Sequence, residues 1–197
     1  MSINLEKGSK INLTKSQPLL RTVRAELKWN TPTNKFPKFD LDVSSFGNAQ
    51  TDAGPKLVCE DYFMYYNHEC KVDDKTPITN GDGAFVKSPD ELTGGSEYIK
   101  VNLDKVRSDC DEISFIVTIH EAKKRGQTFN YVSDAEIRLF NDETGEEICF
   151  YDLDESFSTE TGVQIGSLIR VNGEWSFEAV GVGYNLELGD FVAGYTS

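Results

Sequence analysis

Histidine is scarce in this chain: only His68 and His120 occur in 197 residues, and neither stands near a nucleophile motif. There is no G-x-S-x-G, no Walker-type phosphate loop and no H-E-x-x-H, so none of the familiar hydrolase, phosphoryl-transfer or zinc-protease signatures is present. His120 closes the run Ile113–Ile119 and precedes Glu121, which reads as a strand-end residue hydrogen-bonded to that neighbour, while His68 falls in a loop. Paired cysteines are lacking too. Cys59, Cys70, Cys110 and Cys149 form no C-x-x-C, which excludes a zinc knuckle or a dithiol redox motif and fits reduced thiols in a cytosol. No apolar run is long enough for a membrane span, and Met1–Lys15 lacks the apolar block of a signal peptide, so the expected location is the cytoplasm. Basic charge is also in short supply. With 20 Lys and Arg against 33 Asp and Glu, the net charge of -13 would repel nucleic acid. The one tight basic cluster, Lys123, Lys124 and Arg125, reads as a solvated loop.

What is present is a β pattern. An apolar content of 38% is enough for one sizeable core, and the expectation is a single domain over residues 1–197. Period-two alternation and β-branched or aromatic runs recur between turn residues, which predicts an all-β, antiparallel two-sheet sandwich of about ten strands with little helix. The strands expected are Lys10–Thr14, Arg24–Trp29, Asp40–Phe46, Tyr62–Tyr65, Glu97–Asn102, Glu112–Ile119, Ala135–Asn141, Glu147–Asp152, Gly166–Val171 and Trp175–Tyr184. Asp142-Glu-Thr-Gly145 and Asn172-Gly173 carry hairpin chemistry. Trp29, Trp175, Phe115, Phe140, Phe150 and Phe177 are expected between the sheets. A few residues near Leu186–Ala193 are expected to form a short helix, which Gly189 and Gly194 weaken.

Carboxylates are the best chemical lead. Asp40 and Asp42 lie two apart on a strand or its end, so both side chains leave on one face, where like charges repel unless a cation or a hydrogen-bond network separates them. Ca²⁺ takes six to eight oxygens from such groups and from loop carbonyls. The long irregular stretch Asn67–Ser96 offers Asn67, Asp73, Asp74, Asn80, Asp82, Asp90 and Glu91, and Glu97 follows it. Asn80-Gly-Asp-Gly83 does not have EF-hand spacing. Spacing and composition leave two readings open here, a calcium site and a solvated acidic loop.

The order of short motifs resembles the TerD family over Met1 to about Tyr184. Ile3-Asn-Leu-Glu-Lys-Gly8, Leu27-Lys-Trp29, Phe39-Asp-Leu-Asp-Val-Ser44, Ile116-Val-Thr-Ile-His120, Ala135-Glu-Ile-Arg138, Phe157-Ser-Thr-Glu-Thr161 and Gly173-Glu-Trp175 follow in that family's sequence. The resemblance implies a non-enzymatic β-sandwich of the tellurium-resistance and stress-response type, with acidic loops that bind calcium. It also implies a loop of the form G-D-N-x-T-G-E-G-D-G-D-D-E, where this chain has Ser88–Glu97. Asp90, Thr93, Gly94 and Glu97 match it; Glu91 replaces the asparagine, and several acidic positions are deleted. The implied metal set is Asp40, Asp42, Asn67, Asp90, Glu91, Gly94 and Glu97, with fewer charges and an affinity moved toward roughly 10⁻⁴ M. The same deletion supports an alternative, a metal-independent structural or protein-interaction module, such as a phage-carried or assembly-associated copy, with protein partners or self-association through sheet edges and acidic loops.

Overall fold

The computed structural model describes residues 2–30, 38–90, 95–152 and 157–197. Glu91 and Gly94 lie outside the described residues. The strands are β1 (Ile3–Asn4), β2 (Lys10–Asn12), β3 (Thr22–Asn30), β4 (Leu41–Thr51), β5 (Gly54–Leu57), β6 (Phe63–Met64) and β7 (Ile78–Thr79). They continue with β8 (Phe85–Lys87), β9 (Gly95–Asn102), β10 (Glu112–Ile119), β11 (Ser133–Asn141), β12 (Glu147–Asp152), β13 (Gly162–Val171) and β14 (Glu174–Tyr184). Helices are α1 (Leu13–Ser16), α2 (Ala122–Arg125) and α3 (Leu188–Thr196). Among the described residues, no helix is long and apolar enough to cross a membrane.

Two seven-stranded sheets result, one ordered β1-β12-β11-β3-β9-β8-β7 and the other β2-β14-β13-β10-β4-β5, with β6 also on β4. Among the described residues the pairing is antiparallel except for β1 on β12, where Ile3 faces Cys149 in parallel register. All ten expected strands correspond to observed ones; β1, β5, β7 and β8, each of two to four residues, add to them. They escape pattern reading because strands so short carry too few alternations. Both expected hairpins form. Asn172 and Gly173 take φ of 53° and 81°, the left-handed pair a tight hairpin needs to follow strand twist.

Alternation explains the layers. Val23, Leu27 and Trp29 on β3, Ile99 on β9 and Leu139 on β11 meet Val43 on β4, Phe115 on β10, Leu168 on β13 and Phe177 on β14 in one core. The two outer faces differ. On the first sheet Phe140 and Phe150 are only half-buried, with the Arg24 guanidinium 4.2 Å above one ring and that of Arg138 5.2 Å above the other. Their expected place between the sheets is therefore corrected: their strand parity puts them on the outer face, where Arg stems and cation–π contact cover them. On the second sheet Phe46 and Ile116 form a second cluster with Phe191 of α3. That helix forms despite its glycines because Glu187 and Asp190 cap it reciprocally and its apolar side is buried. The basic cluster becomes one turn, α2, in which Lys124 pairs with Glu121 and Lys123 with Asp190.

Candidate metal centre

Strand β4 is buried on both faces, and its start carries the carboxylates. Leu41 and Val43 belong to the main core, so Asp42 points the other way, and Asp40 two residues earlier leaves on the same side. The third carboxylate comes from the irregular segment that follows β8. Beyond β8, Ser88 holds the chain in register, its N–H donating to Tyr98 O (2.9 Å) and its Oγ accepting the Tyr98 N–H (3.1 Å). Two residues on, Asp90 reaches the β4 end, and carboxylate oxygens of Asp40, Asp42 and Asp90 lie within 4.8 Å of one another.

Its surroundings favour a cation. Asp40 Oδ1 and Asp90 Oδ1 are buried without a hydrogen-bond partner among the described residues, an arrangement that costs free energy unless something supplies positive charge. Burial first, then the fields of Asp40, Asp90 and Glu97, push the Asp42 carboxyl up to about 8, against a smaller opposing pull from Lys87. Burial and Asp90 also raise Asp40, opposed by His120 and Arg125. The cationic groups nearby are set back: Arg125 Nη1 is 3.9 Å from Asp40 Oδ2, and His120 Nδ1 is 3.6 Å from Asp42 Oδ2. These lengths exceed a hydrogen bond, so neither group saturates the oxygens. The expected His120–Glu121 hydrogen bond is thereby corrected, since strand pairing aims the imidazole at Asp42 and the Tyr66 ring (5.8 Å between centroids).

The other predicted residues divide. Glu97 is fully buried but faces the core, where its Oε2 accepts from the Val43 N–H (3.1 Å) and from Lys87 Nζ (3.0 Å). It contributes to the field at Asp42 while its own charge is matched by a buried ammonium. Asn67 is exposed on the turn after Tyr66. Asp73, Asp74, Asn80 and Asp82 have local roles instead: Asp73 accepts the Lys75 and Thr76 N–H groups, Asp74 pairs with Lys71, Asn80 Oδ1 accepts the Phe85 N–H, and Asp82 Oδ2 accepts a hydrogen bond from the Tyr62 hydroxyl. Sequence reasoning missed Lys87. The signal was there, since Lys87 shares the parity of buried Phe85 on β8.

A two-sheet sandwich with three carboxylates gathered at one strand end defines an acidic all-β domain. The TerD domain profile matches residues 1–195, and the chain belongs to that family. It is 44% identical to general stress protein 16U of Bacillus subtilis over 93% of this chain and 92% of that protein. It is 39% identical to the tellurium resistance protein TerD of Serratia marcescens over 99% and 97% of the two chains. A crystal structure of a TerD homologue from Streptomyces coelicolor superposes with a TM-score of 0.66 at 20% identity, covering 90% of this chain and 99% of that one, which supports the fold.

Proposed function

We propose that this chain is a non-enzymatic, cytoplasmic stress-response module that binds Ca²⁺ through Asp40, Asp42 and Asp90. The observation that carries the reading is the convergence of three carboxylates within 4.8 Å, two of them with a buried oxygen lacking any hydrogen-bond partner among the described residues. Hard oxygen donors of this kind suit Ca²⁺ rather than a thiophilic metal. The names of relatives, a general stress protein and tellurium resistance proteins, support the physiological class. With Glu97 matched by Lys87, the ion would rest on three protein carboxylates, completed by water and carbonyls, which keeps its affinity near the weak end of calcium sites.

The test is thermal unfolding of the chelator-treated protein with and without Ca²⁺. For a dissociation constant of about 10⁻⁴ M, 10 mM Ca²⁺ stabilises the folded state by about 2.7 kcal/mol. In a domain of this size that raises the midpoint by roughly 5–10 °C. A metal-independent assembly module gives the opposite result, an unmoved midpoint, and that outcome would end the calcium reading.

A further inference from the structure

A second group of donors shares no residue with the carboxylate centre. Asp61, in the short 3-10 turn Glu60–Tyr62, and His68 and Cys70, in the following loop, bring a carboxylate oxygen, an imidazole nitrogen and a thiol sulfur within 4.8 Å of one another. We propose that these three side chains form a metal site for a borderline divalent ion of the zinc type, fastening the 67–77 loop to the body of the sandwich.

Three features carry this. The loop has little apolar anchorage: within residues 67–77 only His68 is buried, at 3% exposure, and Cys70 packs half-buried against the core, while Val72 is 82% exposed. A histidine is a poor plug if packing were its whole role, because an apolar side chain would fill the space without a polar ring to satisfy. Next, His68 Nε2 stands 3.6 Å from Asp61 Oδ1, too long for a hydrogen bond. It is close to the spacing of about 3.4 Å between two ligands on one tetrahedral zinc. Last, Asp61 is already oriented as a ligating carboxylate would be: its oxygens accept the Gly81 N–H (2.9 and 3.0 Å) and Asn80 Nδ2 (3.1 Å), leaving lone pairs toward His68.

The donor set selects the ion. A thiolate and an imidazole disfavour Ca²⁺ and Mg²⁺ and suit Zn²⁺, and one carboxylate plus one thiolate neutralise a divalent charge in a half-buried place. Solvent can supply the fourth position. Binding moves protons in a defined way. The Cys70 N–H donates to His68 Nδ1 (3.2 Å), so in the free site the ring proton sits on Nε2. On coordination through Nε2 the ring proton moves to Nδ1, the Cys70 amide contact is given up, and the thiol proton passes to solvent.

The full chain, stripped with chelator and then held in millimolar Ca²⁺ to fill the carboxylate centre, should be titrated with Co²⁺ as a spectroscopic substitute for Zn²⁺. The expected result is saturation at one equivalent, with a thiolate-to-cobalt charge-transfer band and tetrahedral d–d bands, both abolished by added Zn²⁺. Cys70→Ser should lose the charge-transfer band, and His68→Gln should weaken binding by about tenfold or more. Wild-type protein with no thiolate–cobalt band would overturn the proposal without reference to any variant, and so would a band that survives Cys70→Ser. A calcium-induced rise in the unfolding midpoint persisting in Cys70→Ser would keep the two sites distinct.

Discussion

Calcium binding at the Asp40, Asp42 and Asp90 cluster should expel a proton, and the number follows from the Asp42 environment. In the ion-free fold this carboxyl titrates at about 8 rather than 3.8. It is therefore about nine-tenths protonated at pH 7, whereas a bound cation requires the carboxylate. Binding should release about 0.9 proton at pH 7, falling to about 0.1 at pH 9. Apparent affinity should weaken by about a hundredfold from pH 9 to pH 6. The sign for stability follows from the same shift. Because the folded pKa is raised, the ion-free fold holds more protons than the unfolded chain between about pH 4 and 8, so its stability is greatest below pH 4 in this respect and is lost as pH rises through 8. Calcium should remove that slope. Isothermal titration in two buffers of different ionisation enthalpy counts the protons. Measurable calcium binding with a count near zero at pH 7 and no pH dependence would refute the reasoning.

Other outcomes follow from the same contacts. Asp42→Asn replaces a carboxyl whose ionisation is opposed by burial, so at pH 8 the ion-free variant should melt no lower than wild type, while its calcium-induced shift should fall below about 2 °C in the same thermal assay. Lys87→Met should cost about 3–5 kcal/mol in urea unfolding, because it leaves Glu97 charged and wholly buried; adding Glu97→Gln should recover more than half of the loss. Gly166→Ala would place a methyl 2.5 Å from Phe177 Cζ and 2.9 Å from Glu178 O, and should destabilise by about 1–3 kcal/mol by equilibrium denaturation.

Much of the candidate site could be read from the chain because its determinants are local. The Asp40–Asp42 spacing fixes a shared face once a strand is assigned, and Asp90 stands out by its place in a family motif. Glu97 was found by the same motif, but its partner was not. Whether a carboxylate is a ligand or half of an ion pair depends on which side chain the neighbouring strand brings beside it, and Lys87 arrives from β8, paired with β9 in the same sheet and ten residues away along the chain. His120 was read with the neighbour that follows it, whereas β10 pairing with β4 sets it beside Asp42. His68 looked unremarkable because its companions Asp61 and Cys70 carry no recognised spacing.

By itself the sequence determined the sandwich, since alternation and turn chemistry act over a few residues and each hairpin is specified where it occurs. It also determined which side of β4 carries acid. Only the tertiary structure decided which carboxylates share a field, which loop histidine is buried, and that Phe140 and Phe150 face outward while α3 seals the opposite sheet. Those outcomes depend on distances between segments far apart in the chain, and burial and electrostatic energy are set by such distances, not by neighbours in sequence.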